Sequence, residues 1–208
     1  MQIKPRSLIL FQGDSVTDCD RKFESMIDLG KGYPNMIAGA LWAKQPDDGL
    51  KFINRGISGN RTKDLYMRWV GDCINLQPDY VSILIGINDV WREFDSNDAT
   101  PIEAFETNLR NVLDLTKRET DAKIIMMEPF VLPYPLDRIK WLDTLAKRRE
   151  LIKNLSKEYG AAFVPLYNKL NEIGKKIGYT YLAQDGVHPT PFGHSVIAKQ
   201  WMDIVLND

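Results

Sequence analysis

Ser15 stands where a nucleophile would be exposed. It lies in FQGDSVTD, residues 11–18, directly behind the apolar run SLILF, so a predicted strand ends and the chain turns at this point. A serine hydroxyl becomes nucleophilic beside a base, and histidine is the side chain that titrates near neutral pH. The segment by itself is also typical of a turn with a helix cap, so partners elsewhere in the chain decide between the two interpretations.

The chain has two histidines, His188 and His194, and one of them has a carboxylate at a useful spacing. Asp185 precedes His188 by three residues in QDGVHPT, which lets the carboxylate reach the imidazole within one loop and stabilise the imidazolium that forms on proton transfer. Alone, this pattern is more typical of a surface turn before a proline. His194 has no such partner and precedes a helical run, so we predict packing or capping for it. Cys19, close to Ser15, is a much weaker candidate nucleophile.

Two further segments offer hydrogen-bond donors. INRGISGNRT supplies glycines whose backbone N–H groups can point into a site, and ILIGINDVW supplies the side-chain amide of Asn88. Acyl transfer needs such donors for the negative charge that develops on the carbonyl oxygen. Each segment alone is typical of an ordinary turn. Together with Ser15 and His188, however, they follow predicted strands, and the carboxyl ends of parallel strands are where open sheets bind ligands.

Short apolar runs alternate with longer amphipathic ones along the chain. Most of the short runs are continuously apolar, as in strands buried on both faces of a sheet. Five strands are predicted, at Ser7–Gln12, Lys51–Asn54, Tyr80–Ile85, Lys123–Glu128 and Ala162–Leu166. Their alternation with helices predicts an α/β fold with a parallel sheet covered on both faces.

Three helices have the clearest patterns. For the first, Thr100 is the predicted N-cap, Pro101 fits the first helical position and Glu103 completes a capping box. The second is predicted over about residues 137–159, with Gly160 as its stop. The third follows the segment HPTPFG.

Composition excludes several classes of function. The 208 residues carry a formal net charge of −1, which indicates one globular domain over residues 1–208 and no electrostatic footprint for nucleic acid or an anionic membrane. No apolar stretch reaches the roughly 20 residues of a membrane span, and the N-terminal apolar run is too short for a signal peptide. We therefore expect a cytoplasmic protein without nucleic-acid or membrane partners; a homo-oligomer stays open. The two cysteines, Cys19 and Cys73, have no metal-ligand spacing and imply no disulfide.

Four blocks resemble, in order and spacing, those of the GDSL or SGNH serine hydrolases: FQGDSVTD, NRGISGNRT, IGINDVW and DGVHPT. The resemblance implies the SGNH hydrolase fold, a three-layer α/β/α sandwich with a flavodoxin-like, five-stranded parallel sheet. It implies Ser15 as nucleophile, His188 as base and Asp185 as the third triad member, with no metal and no cofactor. The oxyanion hole that it implies consists of the N–H of Ser15 itself, the N–H of Gly59 and the amide of Asn88.

The similarity is densest over residues 54–95, where it is closest to the acetylxylan-esterase branch of that family. It implies a serine esterase that removes small acyl groups, acetyl foremost, from carbohydrates such as xylo-oligosaccharides. Trp91 and Tyr181 are predicted to stack on sugar rings, and Arg61 and Arg92 to donate hydrogen bonds to sugar hydroxyls; alternatively, the rings pack the loops and the arginines are solvated. Two other functions stay open: a lysophospholipase or acyl-thioesterase of the same family, and a non-catalytic carbohydrate-binding protein on the same fold.

Overall fold

Five parallel strands form a single sheet within residues 3–207, the part of the chain that the computed structural model describes. The first two residues and the last residue of the predicted domain lie outside the described residues. The strands are β1 (Leu8–Gly13), β2 (Lys51–Gly56), β3 (Tyr80–Leu84), β4 (Lys123–Met127) and β5 (Ala162–Val164). Their order in the sheet is β2-β1-β3-β4-β5, which confirms the predicted flavodoxin-like arrangement.

Helices cover both faces of the sheet. Those in the described residues are α1 (Ser15–Asp18), α2 (Tyr33–Lys44), α3 (Thr62–Asp72), α4 (Ile87–Asp95), α5 (Ile102–Glu119), α6 (Leu142–Glu158), α7 (Tyr167–Ile177) and α8 (Pro191–Asn207). Apolar side chains of α2, α7 and α8 form one core layer, while those of α3, α5 and α6 form the other. Successive residues of β1 alternate between the layers, because Ile9 and Phe11 face the first and Leu10 faces the second. The predicted three-layer sandwich is therefore confirmed.

The sheet brings three loops to one edge. Gly13 at the end of β1 lies opposite Gly56 of β2 and Leu84 of β3, so these strands finish at the same level. The chain leaves β1 toward β2 on one side and later returns to β3 on the other. Such a switch point opens a crevice at the carboxyl ends of the strands. None of the helices in residues 3–207 is long and apolar enough to cross a membrane.

The helix boundaries correct three predictions. Thr100 is not the N-cap of α5: the cap is Pro101, no side chain caps it, and Thr100 is buried with its carbonyl oxygen bonded to the Arg148 guanidinium. The second predicted helix starts as a 3₁₀ turn, Leu136–Trp141, before α6, although Gly160, with φ of +63°, follows its end as predicted. The last helix, α8, already begins at Pro191, whose fixed φ suits the first turn.

The five predicted strands differ from the observed ones only at their ends. All five occur, but β2 continues to Gly56 and β5 stops at Val164, before Pro165. His188 does not follow β5 directly, because α7 and a 3₁₀ turn, Tyr179–Tyr181, lie between them. His188 was predicted at the end of a strand, but it lies in the loop between α7 and α8.

Candidate active site

Three side chains form a continuous hydrogen-bonded line at the switch point. Ser15 Oγ lies 2.9 Å from His188 Nε2, and His188 Nδ1 lies 2.6 Å from Asp185 Oδ2. The carboxylate accepts a hydrogen bond from the Nδ1–H group, so Nε2 is left with a lone pair facing the serine hydroxyl. This is the geometry of a Ser-His-Asp triad, in which the hydroxyl proton can pass to the imidazole.

The turn after β1 presents Ser15 through a cap and a tight packing contact. The Asp14 carboxylate accepts a hydrogen bond of 3.0 Å from the Val16 N–H and so holds the turn that carries Ser15, and complete burial raises the pKa of Asp14 to about 7. The φ of Gly13 is not positive. A Cβ there would lie 2.3 Å from both the Leu84 carbonyl oxygen and Thr17 Oγ1. Close packing, rather than backbone freedom, requires the glycine.

The electrostatics of the Asp185–His188 pair favour a charged imidazolium. The hydrogen bond to Asp185 raises the pKa of His188, with the Asp185 and Asp14 charges adding to the shift, against the opposing effects of burial and of Arg138. For Asp185, burial would raise the pKa, but the His188 ring and the N–H groups of Val187 and His188 hydrogen-bond to its carboxylate and hold the pKa well below its usual value. The carboxylate stays ionised while the base titrates.

Two loops carry the predicted oxyanion donors at the sheet edge where Ser15 lies. Gly59, exposed and with φ of +84°, lies in the loop after β2, while Asn88 lies in the first turn of α4 directly after β3. The Asn88 Nδ2 group donates 3.0 Å to the Asn60 carbonyl oxygen. This bond uses one N–H of the Asn88 amide and leaves the second available.

Two buried aspartates that the sequence reasoning missed hold these loops. Asp18 Oδ2 accepts from the Ser58 N–H at 3.2 Å and from Ser58 Oγ at 2.6 Å, and so anchors the residue before Gly59. Asp89 accepts from the Thr62 N–H at 3.0 Å and from its hydroxyl at 2.9 Å, which ties the start of α3 to the start of α4. Burial raises the pKa of Asp89. The sequence signal that could have found them was their position. Asp89 follows Asn88 directly, and Asp18 lies within one helical turn of Ser15.

His194 caps a helix, as predicted. Its Nδ1 accepts 3.2 Å from the N–H of Tyr33, the first residue of α2, so the ring proton sits on Nε2 and points at Cys19 Sγ, 3.3 Å away. Burial lowers the pKa of His194 to about 4 and raises that of the Cys19 thiol. Because His194 donates to the sulfur, it has no lone pair there to act as its base, and Cys19 is not an activated nucleophile.

The predicted sugar-contacting residues fall into different environments. The Trp91 ring lies 5.7 Å from the His188 ring, and Tyr181 is 64% exposed on the 3₁₀ turn before the triad loop. The Arg61 guanidinium is paired with Asp98 at 2.6 Å, and that of Arg92 is paired with Asp95. Trp91 is the one whose contact with the triad is direct, while both arginines are engaged by neighbouring carboxylates.

Two open cavities flank the triad. One, of about 270 Å³, lies beside Ser15 and is lined mainly by polar or small side chains: Cys19, Asp20, Ser58, His188, Pro189 and His194. The other, of about 530 Å³, lies on the far side of His188 against Gln184, Thr190 and Pro191. Across the described residues, no group of three or more histidine, cysteine or acidic side chains has metal-binding geometry.

Comparison with known proteins gives a consistent result. The family model described as GDSL-like Lipase/Acylhydrolase matches residues 11–196. An acetylxylan esterase of Geobacillus stearothermophilus is 36% identical over 97% of this chain and 95% of its own.

Solved structures agree with that match. A GDSL-like lipase of Parabacteroides merdae superimposes with a TM-score of 0.94 at 35% identity, covering 100% of this chain and 99% of its own. Axe2, an acetylxylan esterase from G. stearothermophilus, superimposes with a TM-score of 0.90 at 34% identity, over 98% of this chain and 95% of its own. Three further Axe2 structures are described as catalytic mutants, in which a serine, an aspartate or a histidine is replaced by alanine.

Proposed function

We propose that this chain, which belongs to the GDSL-like lipase/acylhydrolase family and is a carboxylic-ester hydrolase, removes acetyl groups from carbohydrates such as acetylated xylo-oligosaccharides. The observation that carries the proposal is the line from Ser15 Oγ through His188 to Asp185, with separations of 2.9 and 2.6 Å. The similarity to acetylxylan esterases over nearly the whole chain supports the choice of substrate class.

The proposed reaction proceeds through an acetyl-enzyme. Ser15 Oγ attacks the acetyl carbonyl carbon while His188 Nε2 accepts its proton, and Asp185 stabilises the resulting imidazolium. The N–H groups of Ser15 and Gly59, together with the Asn88 amide, donate to the oxyanion. His188 then protonates the sugar oxygen as its bond to the acetyl carbon breaks, so that the sugar leaves with a free hydroxyl. A water molecule, deprotonated by the same imidazole, releases acetate from Ser15.

The cavity beside Ser15 supports a small acyl group. Its lining residues include no leucine, isoleucine, valine, methionine or phenylalanine against which a long acyl chain would pack. An enzyme built for long chains gains about 0.8 kcal/mol for each buried methylene, so its efficiency rises with chain length. A lining of this kind supports acetyl over octanoyl esters.

An acyl-length series combined with acetylated sugars tests the proposal. We expect kcat/KM to be highest for p-nitrophenyl acetate, lower for the butyrate and small for the octanoate, and we expect acetate release from acetylated xylo-oligosaccharides. Ser15→Ala protein is the control for background hydrolysis. A kcat/KM that climbs from acetyl to octanoyl would favour the lysophospholipase or acyl-thioesterase alternative. Sugar binding without any ester hydrolysis would favour the non-catalytic alternative.

A further inference from the structure

We propose that Arg138 is a positioning residue for the triad: it fixes the histidine loop, residues 182–190, and the tryptophan that packs on the base. This inference rests on the proposed function. Arg138 belongs to the 3₁₀ turn Leu136–Trp141, distant in sequence from every residue of the triad. Only 14% of its side chain is exposed.

The Arg138 guanidinium contacts the backbone of the third triad member. Its Nε–H donates 3.1 Å to the carbonyl oxygen of Asp185, and its Nη1 donates 2.6 Å to the Asp137 carboxylate. The first bond holds the peptide between Asp185 and Gly186. Nearby, the Leu132 N–H donates 2.8 Å to the Gly186 carbonyl oxygen, so the two bonds fasten consecutive peptides of the histidine loop to the segment that follows β4.

The same guanidinium also orders the aromatic rings behind the base. Its central carbon lies 4.1 Å from the centroid of the Trp141 ring and 5.1 Å from that of Trp91. Trp91 in turn lies 5.7 Å from the His188 ring. One planar cation therefore touches the backbone of Asp185 and the ring that limits rotation of His188, which lysine, lacking the planar fork, does not reproduce.

The position of Arg138 also places a positive charge near the base. The charged or titratable groups that face His188 are Asp185 in its own loop, Asp14 in the turn after β1, Arg138, Cys19 and Asp20 across the cavity beside Ser15, and His194 at the start of α8, which is neutral above pH 4. Arg138 opposes protonation of His188, whereas Asp185 and Asp14 favour it. Loss of the arginine charge alone would raise the pKa of His188, whereas a weakened hydrogen bond to Asp185, the largest contribution to the raised pKa, would lower it.

A matched set of variants separates positioning from general packing. Arg138→Met removes charge and hydrogen bonds, Arg138→Lys keeps the charge, and Arg149→Met is the control. Arg149 is 15% exposed and lies 3.7 Å from the centroid of the Tyr167 ring, beside Glu128, so it is as enclosed and as stacked as Arg138. It has no contact with the histidine loop among the described residues.

We expect Arg138→Met to lower kcat on p-nitrophenyl acetate by about 10- to 100-fold, with KM changed less than threefold, because small misplacements of a base cost up to about 10². Arg138→Lys should recover part of kcat and the wild-type pH profile, and Arg149→Met should keep kcat. A kcat within twofold of wild type in Arg138→Met would overturn the proposal. So would an effect on KM alone, or an equal loss of kcat in Arg149→Met.

An NMR titration of the two imidazoles gives a readout that needs no substrate. The His188 pKa should be lower in Arg138→Met than in wild type, because a loosened loop weakens the Asp185 hydrogen bond, which raises this pKa by more than the Arg138 charge lowers it. It should lie closer to wild type in Arg138→Lys and be nearly unchanged in Arg149→Met, while His194 stays neutral as the internal reference. A His188 pKa that is unchanged or higher in Arg138→Met would show that the Asp185 bond does not depend on Arg138 and would overturn the proposal. Failure of wild-type protein to hydrolyse acetyl esters would instead contradict the proposed function, and the titration would still decide the role of Arg138.

Discussion

The two halves of the candidate site are built in different ways. Ser15, Gly59 and Asn88 each follow one of three adjacent strands, β1, β2 and β3, whose ends are aligned by the parallel register. Asp185 and His188 follow no strand; they lie between α7 and α8 in a loop held by side chains and by a few backbone bonds. The proposed nucleophile and oxyanion donors therefore share the rigidity of the sheet, whereas the position of the proposed base depends on the side chains packed against its loop.

This difference separates what the two halves contribute to a reaction. Oxyanion donors are effective when they are already in place as charge develops, which a sheet edge ensures. His188 must accept and return a proton within a short distance of Ser15 Oγ. Its position depends on the hydrogen bonds that Arg138 and Leu132 donate to its loop. Substitutions in the sheet half should remove individual interactions with the reacting groups. Substitutions around the loop should change the position of His188 relative to Ser15 and the pKa of His188.

The largest effect is expected at the nucleophile. Ser15→Ala should lower kcat on acetyl esters by about 10⁶ while leaving the fold intact, because a triad without its nucleophile loses nearly all of its advantage. Ser15 is only partly buried, and its side-chain bond goes to the exposed His188, so little packing is lost. Circular dichroism and steady-state kinetics check both statements. Near-native turnover by the purified variant would contradict the mechanism.

Asp185→Asn should have the next largest effect, a loss in kcat of about 10⁴. An amide that donates to His188 Nδ1 stabilises the wrong tautomer and no longer supports the imidazolium. The loop should remain folded, since an asparagine oxygen still accepts from the N–H groups of Val187 and His188, at present 3.0 and 2.8 Å from the carboxylate. Burst kinetics with p-nitrophenyl acetate measure the acylation step, and acylation at the wild-type rate would exclude Asp185 from the triad.

In the sheet half, Asn88→Ala should lower kcat by about 10² to 10³ with little change in KM. The Asn88 amide, held by the Asn60 carbonyl oxygen at 3.0 Å, acts on charge that is present only in the transition state. Asn60→Ala is a useful comparison because it keeps the backbone carbonyl that holds the amide, and it should retain most of kcat. If Asn88→Ala raised KM alone, Asn88 would bind ground-state substrate instead.

The pH dependence reports on the loop half. His188 must be neutral to accept the Ser15 proton, and the hydrogen bond that it donates to Asp185 raises its pKa above the ordinary 6.5. The value of kcat/KM should therefore fall about tenfold per pH unit on the acid side, with a midpoint above pH 6.5. Asp14, with a pKa of about 7, titrates in the same range, so the profile is repeated with Asp14→Asn. A midpoint at or below 6.5, or loss of the acid limb in that variant, would assign the limb elsewhere.

The same contrast explains how far the sequence reasoning reached. The strand-end positions of Ser15, Gly59 and Asn88 could be predicted because a short apolar run followed by a glycine or polar turn is a local pattern. The pair Asp185 and His188 could be predicted for the same local reason, its three-residue spacing. Arg138 could not, because its contacts join segments far apart in sequence; Asp89 could be singled out by its place beside Asn88, but not its contact with Thr62. Thr100 misled because its buried side chain hydrogen-bonds to Asp89 instead of capping α5.

The smallest predicted effect concerns the backbone of the oxyanion loop. Gly59 has φ of +84°, and a Cβ there would meet no atom within 4 Å, so Gly59→Ala introduces backbone strain without a clash. Gly71 in α3 also has open space around a Cβ but no positive φ, which makes Gly71→Ala the matched control. A non-glycine residue in the left-handed region costs about 1–2 kcal/mol, whereas alanine in place of a helical glycine gains about 0.5–1 kcal/mol. We expect Gly59→Ala to lower and Gly71→Ala to raise the free energy of unfolding by these amounts in urea titrations.

Because alanine keeps the N–H, kcat should fall no more than about tenfold in Gly59→Ala, which corresponds to about 1.4 kcal/mol, and should not change in Gly71→Ala. A loss in Gly59→Ala as large as that in Asn88→Ala would show that the loop moves as a whole when its backbone is strained, and the sheet half would then be less rigid than its strand register indicates.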